Sequence, residues 1–344
     1  MRTLDIFIVL LAITFASSCS TYCYIETCFA DDMSVRRSVY TDSSSWRTKD
    51  LSFLPPSKWK HSEISDPFDI DFYDVVHEMN HVSAAYADDI SSVSFLSSTE
   101  PLENPVLCPE ETITRRFRWF YTYYDYRAVF RSLNYKLPLS FEGYLTEEQK
   151  KLFFTGKNPP EGWNGVEMYC LLDKVNSSFA DWYSDVVYLT MCNLFEPYCS
   201  DVQIDALYSC KQVFMEETER KLIFAMTPMG FEEILKEIAP HAGFGNIFSE
   251  NEDELTEKYD EKTEIFSYFS YSFLHRLDMP GKYYDGNATS FIDAEPVWKV
   301  DAFRLLDGDL VLMATFRKLN IWVFVLTFSI IILLLQYFSK LFSK

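Results

Sequence analysis

The run His77-Glu78-Met79-Asn80-His81 holds the residue types and spacing in this chain best suited to chemistry. On a helix, histidines four apart lie on one face and can share a zinc ion, while the glutamate between them acts as general base on the metal-bound water. In that arrangement His77 and His81 are the metal ligands and Glu78 is the catalytic residue. Val75, Val76, Met79 and Val82 supply a partly apolar setting. The helix that must carry the site is expected over Phe72 to Ala87.

In this respect the chain resembles the zincin metallopeptidases, and the resemblance implies a third protein ligand. One extended form of the pattern needs glycine at position 84 and histidine at position 87, where this chain has Ala84 and Ala87. A carboxylate from Glu100, Glu103 or Glu110 is the other route, but no motif marks any of them. Asp74 places an acid one turn ahead of His77, where such helices carry a small or apolar residue. The reading adopted is a short polar helix with exposed histidines and no cofactor; a membrane-anchored zinc peptidase is the alternative.

Cysteine is the second candidate chemistry. Eight are present, at Cys19, Cys23, Cys28, Cys108, Cys170, Cys192, Cys199 and Cys210, with no Cys-x-x-Cys pair, which disfavours zinc ribbons and thioredoxin-like sites. In a secretory compartment their expected state is the disulfide. The order Cys192, Phe195, Pro197, Cys199, Cys210, followed by Met215 to Met226 and Gly230-Phe231, resembles the Frizzled-type cysteine-rich domain. That resemblance implies a small helical, disulfide-stapled module that binds a protein or lipid-modified ligand, or an accessory subunit of a channel, without catalysis. It implies pairing among Cys108, Cys170, Cys192 and Cys199, with Cys108–Cys199 as one pair. Phe214 and Lys221 stand where the family has further cysteines, and Cys170 lies farther upstream than the family's spacing.

The ends of the chain address the compartment. Arg2, the apolar run Ile6 to Phe15 and the small residues Ala16 to Ser18 read as a signal peptide, 1–18, too short to span about 30 Å of hydrocarbon. Cleavage after Ser18, Ser20 or Ala30 fits the pattern; cleavage before Cys19 keeps an even number of cysteines, whereas cleavage after Ala30 leaves five. Leu319 to Phe338 is almost purely apolar, with Trp322 and Tyr337 near its ends, and reads as a transmembrane helix followed by a short tail, 339–344. Arg317 and Lys318 on one side balance Lys340 and Lys344 on the other, so the signal peptide sets the expected type I orientation. The sequons at Asn176 and Asn287 both precede the helix, in keeping with a glycosylated ectodomain.

A net charge of −20 argues against nucleic acid as a partner. The aromatic and arginine block Arg115 to Tyr126 is read accordingly as core packing with cation–π contacts rather than a base-stacking platform. Gly243-Phe244-Gly245 has no lysine, and His241 and His275 stand alone. Helices are expected over 112–133, from a capping box at Thr146-Glu147-Glu148-Gln149 to Phe154, and over 178–195, 202–226 and 231–238, with the acidic stretch 251–262 read as a solvated helix or a linker. Pro228-Met229-Gly230 is read as a break, and residues 282–313 as irregular or strand-like. The fold class is therefore mainly α: a loosely structured region 19–107, a cysteine-containing helical domain 108–240, an acidic juxtamembrane region 241–316 and a membrane helix. Its expected partners are the membrane, through Leu319 to Phe338, and a protein in the membrane or outside it.

Overall fold

A computed structural model describes residues 21–43, 58–72, 76–93, 106–150, 165–221 and 227–342. The expected signal peptide, Glu100 and Glu103 lie outside these residues. Eleven strands among the described residues overturn the mainly-α expectation: the fold is mixed, with one seven-stranded and one four-stranded sheet. No disulfide joins the described cysteines, so stapling is corrected as well.

The strands are β1 (Thr21–Phe29), β2 (Val35–Thr41), β3 (Lys60–Asp71), β4 (Val76–Ala87), β5 (Glu110–Arg118), β6 (Tyr121–Phe130), β7 (Tyr271–Asp278), β8 (Lys282–Gly286), β9 (Ser290–Ile292), β10 (Glu295–Asp301) and β11 (Leu310–Leu319). The larger sheet runs β3-β4-β2-β1-β7-β10-β9 and the smaller β5-β6-β11-β8. Four strands thus fall in the stretch read as loosely organised. Two more, β5 and β6, replace the helix expected over 112–133. In a run so dense in aromatics, apolar residues match a period of 3.6 and a period of 2 equally well. Here alternation wins: Thr122, Tyr124, Tyr126 and Ala128 are buried while Tyr121, Tyr123, Asp125 and Arg127 lie on the other face. The His77–His81 segment follows the same rule and sits in β4, paired on one side with β2 and on the other with β3.

The described residues fall into two compact units. One holds the strands and the C-terminal helix; the other holds residues 132–272 and 301–308. The second is helical: α1 (Gly165–Phe195), α2 (Asp201–Ser209), α3 (Lys211–Lys221), α4 (Pro228–Ile238), the single turn α5 (Ile247–Glu250) and α6 (Glu252–Thr263). Its core gathers Tyr188, Cys192, Phe195, Leu207, Phe214, Phe231, Ile234, Leu235 and Leu255. The capping box forms as expected, with Gln149 N–H on Thr146 Oγ1 at 3.3 Å and Thr146 N–H on Gln149 Oε1 at 2.8 Å. Pro228 starts a helix instead of breaking one. It takes the first helical position, where its missing N–H costs nothing, and Thr227 Oγ1 caps the turn by accepting from Gly230 N–H at 3.1 Å.

Candidate functional site

On strand β4, His77 and His81 lose the shared helical face that a common ion would need. Residues four apart on a strand are separated by about 13 Å along it, far beyond the reach of one ion. His77 instead hydrogen-bonds Asp42 at 3.0 Å through Nδ1 and stacks on Tyr22 at 4.2 Å between centroids. His81 is buried and Glu78 exposed. Among the described residues no group of three His, Cys, Asp or Glu side chains is placed to hold a metal. Glu110, the one described carboxylate weighed as third ligand, is exposed and bonds Arg131.

The cysteines of the second constellation do converge. Cys192 closes α1, Cys199 precedes α2, Cys210 joins α2 to α3, and all three belong to the helical core or its margin. Burial pushes the Cys192 thiol up to about 12 and the Cys199 thiol up to about 11, so both are held protonated and unreactive at neutral pH. Cys170 is exposed on α1, and Cys108 lies ahead of β5. Asn176 is exposed on α1. Asn287 is structural: its Nδ2 donates to Val311 O at 2.6 Å, and its Oδ1 accepts from Met313 N–H at 2.8 Å and Trp298 Nε1 at 3.0 Å.

Sequence reasoning missed a polar network between the two sheets. Arg37 on β2 is 1% exposed and forks onto Glu111 of β5, at 2.6 and 3.0 Å. Its Nε donates to Thr27 Oγ1 at 3.0 Å, and Tyr126 OH donates to Glu111 Oε1 at 2.6 Å. Thr27 Oγ1 is also hydrogen-bonded to His275 Nε2 at 2.9 Å. Burial, reinforced by the Arg37 charge, lowers His275 to about 4, so it is neutral at physiological pH. Burial alone would raise Glu111, but the Arg37 charge and hydrogen bonds overcome it and hold the carboxyl below its usual range. The space beside these groups is about 10 Å³, lined by Ile25, Phe130, Phe273 and Val300 among others. That is room for about one water and no substrate. The network is a staple across the sandwich. The only advance signals were a lone His275 and an arginine in a strand-length run.

The arrangement with a direct outward consequence is where β11 ends. Only Asn320 separates β11 from α7 (Ile321–Phe342), whose stretch Ile321–Ser339 has a mean hydropathy of 2.4 and is 6% buried. Nineteen residues at a rise of 1.5 Å match a hydrocarbon core of about 30 Å. Asn320 is the pivot. Its backbone N–H donates to Phe120 O at 2.9 Å, its Nδ2 to Trp119 O at 2.8 Å, and its Oδ1 accepts from Thr122 Oγ1 at 2.9 Å. The β5–β6 turn then lies along the helix: Trp119 Nε1 donates to Thr327 Oγ1 at 3.1 Å, Phe120 meets Phe324 at 4.6 Å, and Phe117 stacks on Trp322 at 6.0 Å. The fold and this junction define a β-sandwich bearing a helical unit and one helix apolar and long enough to cross a membrane. No family model, curated protein or solved structure matches the chain.

Proposed function

We propose that this is a single-pass type I membrane protein anchored by α7. In this reading its sandwich and helical unit form a non-cytoplasmic recognition module that works as an accessory subunit of a membrane complex. The observation that carries the reading is the junction at Asn320. A module that only needed tethering could hang from a polar linker. Here the strand enters the helix with one intervening residue, and three hydrogen bonds from that residue close the joint. The two aromatic contacts and the Trp119–Thr327 bond remove the remaining swivel. Such rigidity matters when a surface must be presented at a set height and tilt above the bilayer.

The test is a flexible Gly-Ser insertion between Leu319 and Asn320, which keeps the anchor and breaks the coupling. Native gel electrophoresis of solubilised membranes should show the wild-type chain in an assembly larger than the monomer, and the inserted variant released from it. A wild-type chain that runs as a monomer, or an insertion without effect on the assembly, would sink the accessory-subunit reading. Orientation is read separately: a mass loss on N-glycosidase treatment of intact sealed vesicles places Asn176 or Asn287 on the expected side.

A further inference from the structure

The outer face of the four-stranded sheet carries unsatisfied positive charge at the end nearest α7. Arg116 on this face is neutralised by Asp125, at 2.7 and 2.9 Å, and the adjoining Lys318 on the opposite side of β11 by Asp31 at 2.5 Å. Arg118, Lys282 and Arg317 have no carboxylate partner among the described residues, in a chain of net charge −20. Lys282 and Arg317 are direct cross-strand partners, so two like charges project side by side from one face. Such a pair is destabilising unless an anion sits between them. Arg317 is also held in place, its guanidinium 4.6 Å from the rings of both Tyr121 and Tyr284. Tyr121 pairs with Arg118 across the β5–β6 ladder, which joins the three cations through one aromatic surface.

The tip of the same hairpin adds an apolar element. Phe117 and Trp119 are 51% and 47% exposed. Trp119 has φ of +35°, in a two-residue turn whose left-handed position favours glycine or asparagine. A tryptophan there costs stability and has to be repaid by what its ring reaches. Its ring reaches Thr327, six residues past the helix start and so about 9 Å along the helix axis. The tip therefore runs alongside the first turns of the span instead of stopping above it, the Trp119 ring reaching inward from the headgroup level where tryptophan is enriched.

We infer that this end of the sheet docks on anionic phospholipid in the bilayer that α7 crosses. Phe117, Trp119 and Phe120 enter the headgroup layer, and Arg118, Lys282 and Arg317 bind the phosphate and carboxylate groups above it. The inference rests on α7 crossing a bilayer and not on the type I orientation proposed above, since anionic phospholipid is concentrated in the cytoplasmic leaflet; its partner is lipid, argued from continuity with the span and from charge complementarity. It also fixes the tilt of the module from a second point, away from the helix axis.

The experiment uses the full chain in nanodiscs of phosphatidylcholine, with and without phosphatidylserine, read by hydrogen exchange of the amides of 115–121. A basic residue at an anionic surface gains about a fivefold preference. The tip amides should exchange several-fold more slowly in the anionic discs. Combined Arg118→Gln, Lys282→Gln and Arg317→Gln should abolish that difference, while Arg317→Lys should keep most of it. Equal exchange of the wild-type tip in both discs would overturn the inference, as would an unchanged difference in the triple variant. Extraction of the wild-type chain from liposomes by alkaline carbonate would instead overturn the anchoring itself, so the two failures are distinguishable.

Discussion

Replacing Glu111 with glutamine tests the inter-sheet staple directly. The substitution keeps the volume and one acceptor oxygen, so it opens no cavity. It removes the charge that compensates Arg37, whose side chain is 1% exposed, and turns an NH₂ toward the guanidinium donors. Breaking one half of a buried pair costs about 3–5 kcal/mol, because the other charge stays behind without compensation. Replacing both partners, as Arg37→Met with Glu111→Leu, removes the uncompensated charge and should cost less than the single change, about 1–3 kcal/mol, because Tyr126 OH loses its acceptor. Native-state hydrogen exchange of the β5 and β6 amides in detergent micelles reads this locally, without requiring the two units to unfold together. The wild-type staple should also weaken in acid. His275 has a folded pKa of about 4 against 6.5 for the free imidazole, so its contribution is complete above pH 6.5. That contribution is lost as pH falls toward 4, by about 3 kcal/mol at most. Glu111, held below its ordinary value by Arg37, adds a loss at still lower pH. A Glu111→Gln variant costing under about 1 kcal/mol, or a double variant as damaged as the single one, would refute the reasoning.

Three further outcomes follow from individual contacts. Glu295 is raised to about 7 by burial, with Asp278 adding to the effect and Arg276 opposing it. The folded state therefore keeps its proton above pH 4.5, where the unfolded state has lost it, and stability falls from there to about pH 7; Glu295→Gln should match wild type at pH 4 and melt higher at pH 8. Asn287→Ala removes three hydrogen bonds and leaves Val311 O, Met313 N–H and Trp298 Nε1 without that partner, for an expected loss of about 3 kcal/mol in denaturant unfolding. Gly281 has φ of +111°, and a Cβ there would meet the Arg317 carbonyl carbon and oxygen at 2.7 Å, so Gly281→Ala should detach β8 from β11 and speed exchange of the Lys282 to Tyr284 amides.

The apolar helix was legible because its signal is intrinsic: nineteen residues of high hydropathy need no partner to be recognised. The helices of the second unit were legible in large part for a related reason, since caps such as Thr146–Gln149 are satisfied within four residues of chain. Most of the strands were not, those within 282–313, read as irregular or strand-like, being the exception. A strand is completed by hydrogen bonds to distant segments, and β1 finds β7 about 250 residues later. His77 and His81 show the consequence. Their spacing is a zinc motif on a helix and two separate positions on a strand, and only pairing of β4 with β2 and β3 decides which. The staple is likewise invisible in one dimension: Thr27, Arg37, Glu111, Tyr126 and His275 come from five strands and become one network only when the two sheets close over them. Local chemistry in the sequence determined that a helix could cross a membrane. Tertiary pairing decided what that helix is joined to, through one asparagine whose hydrogen bonds reach a hairpin some 200 residues away.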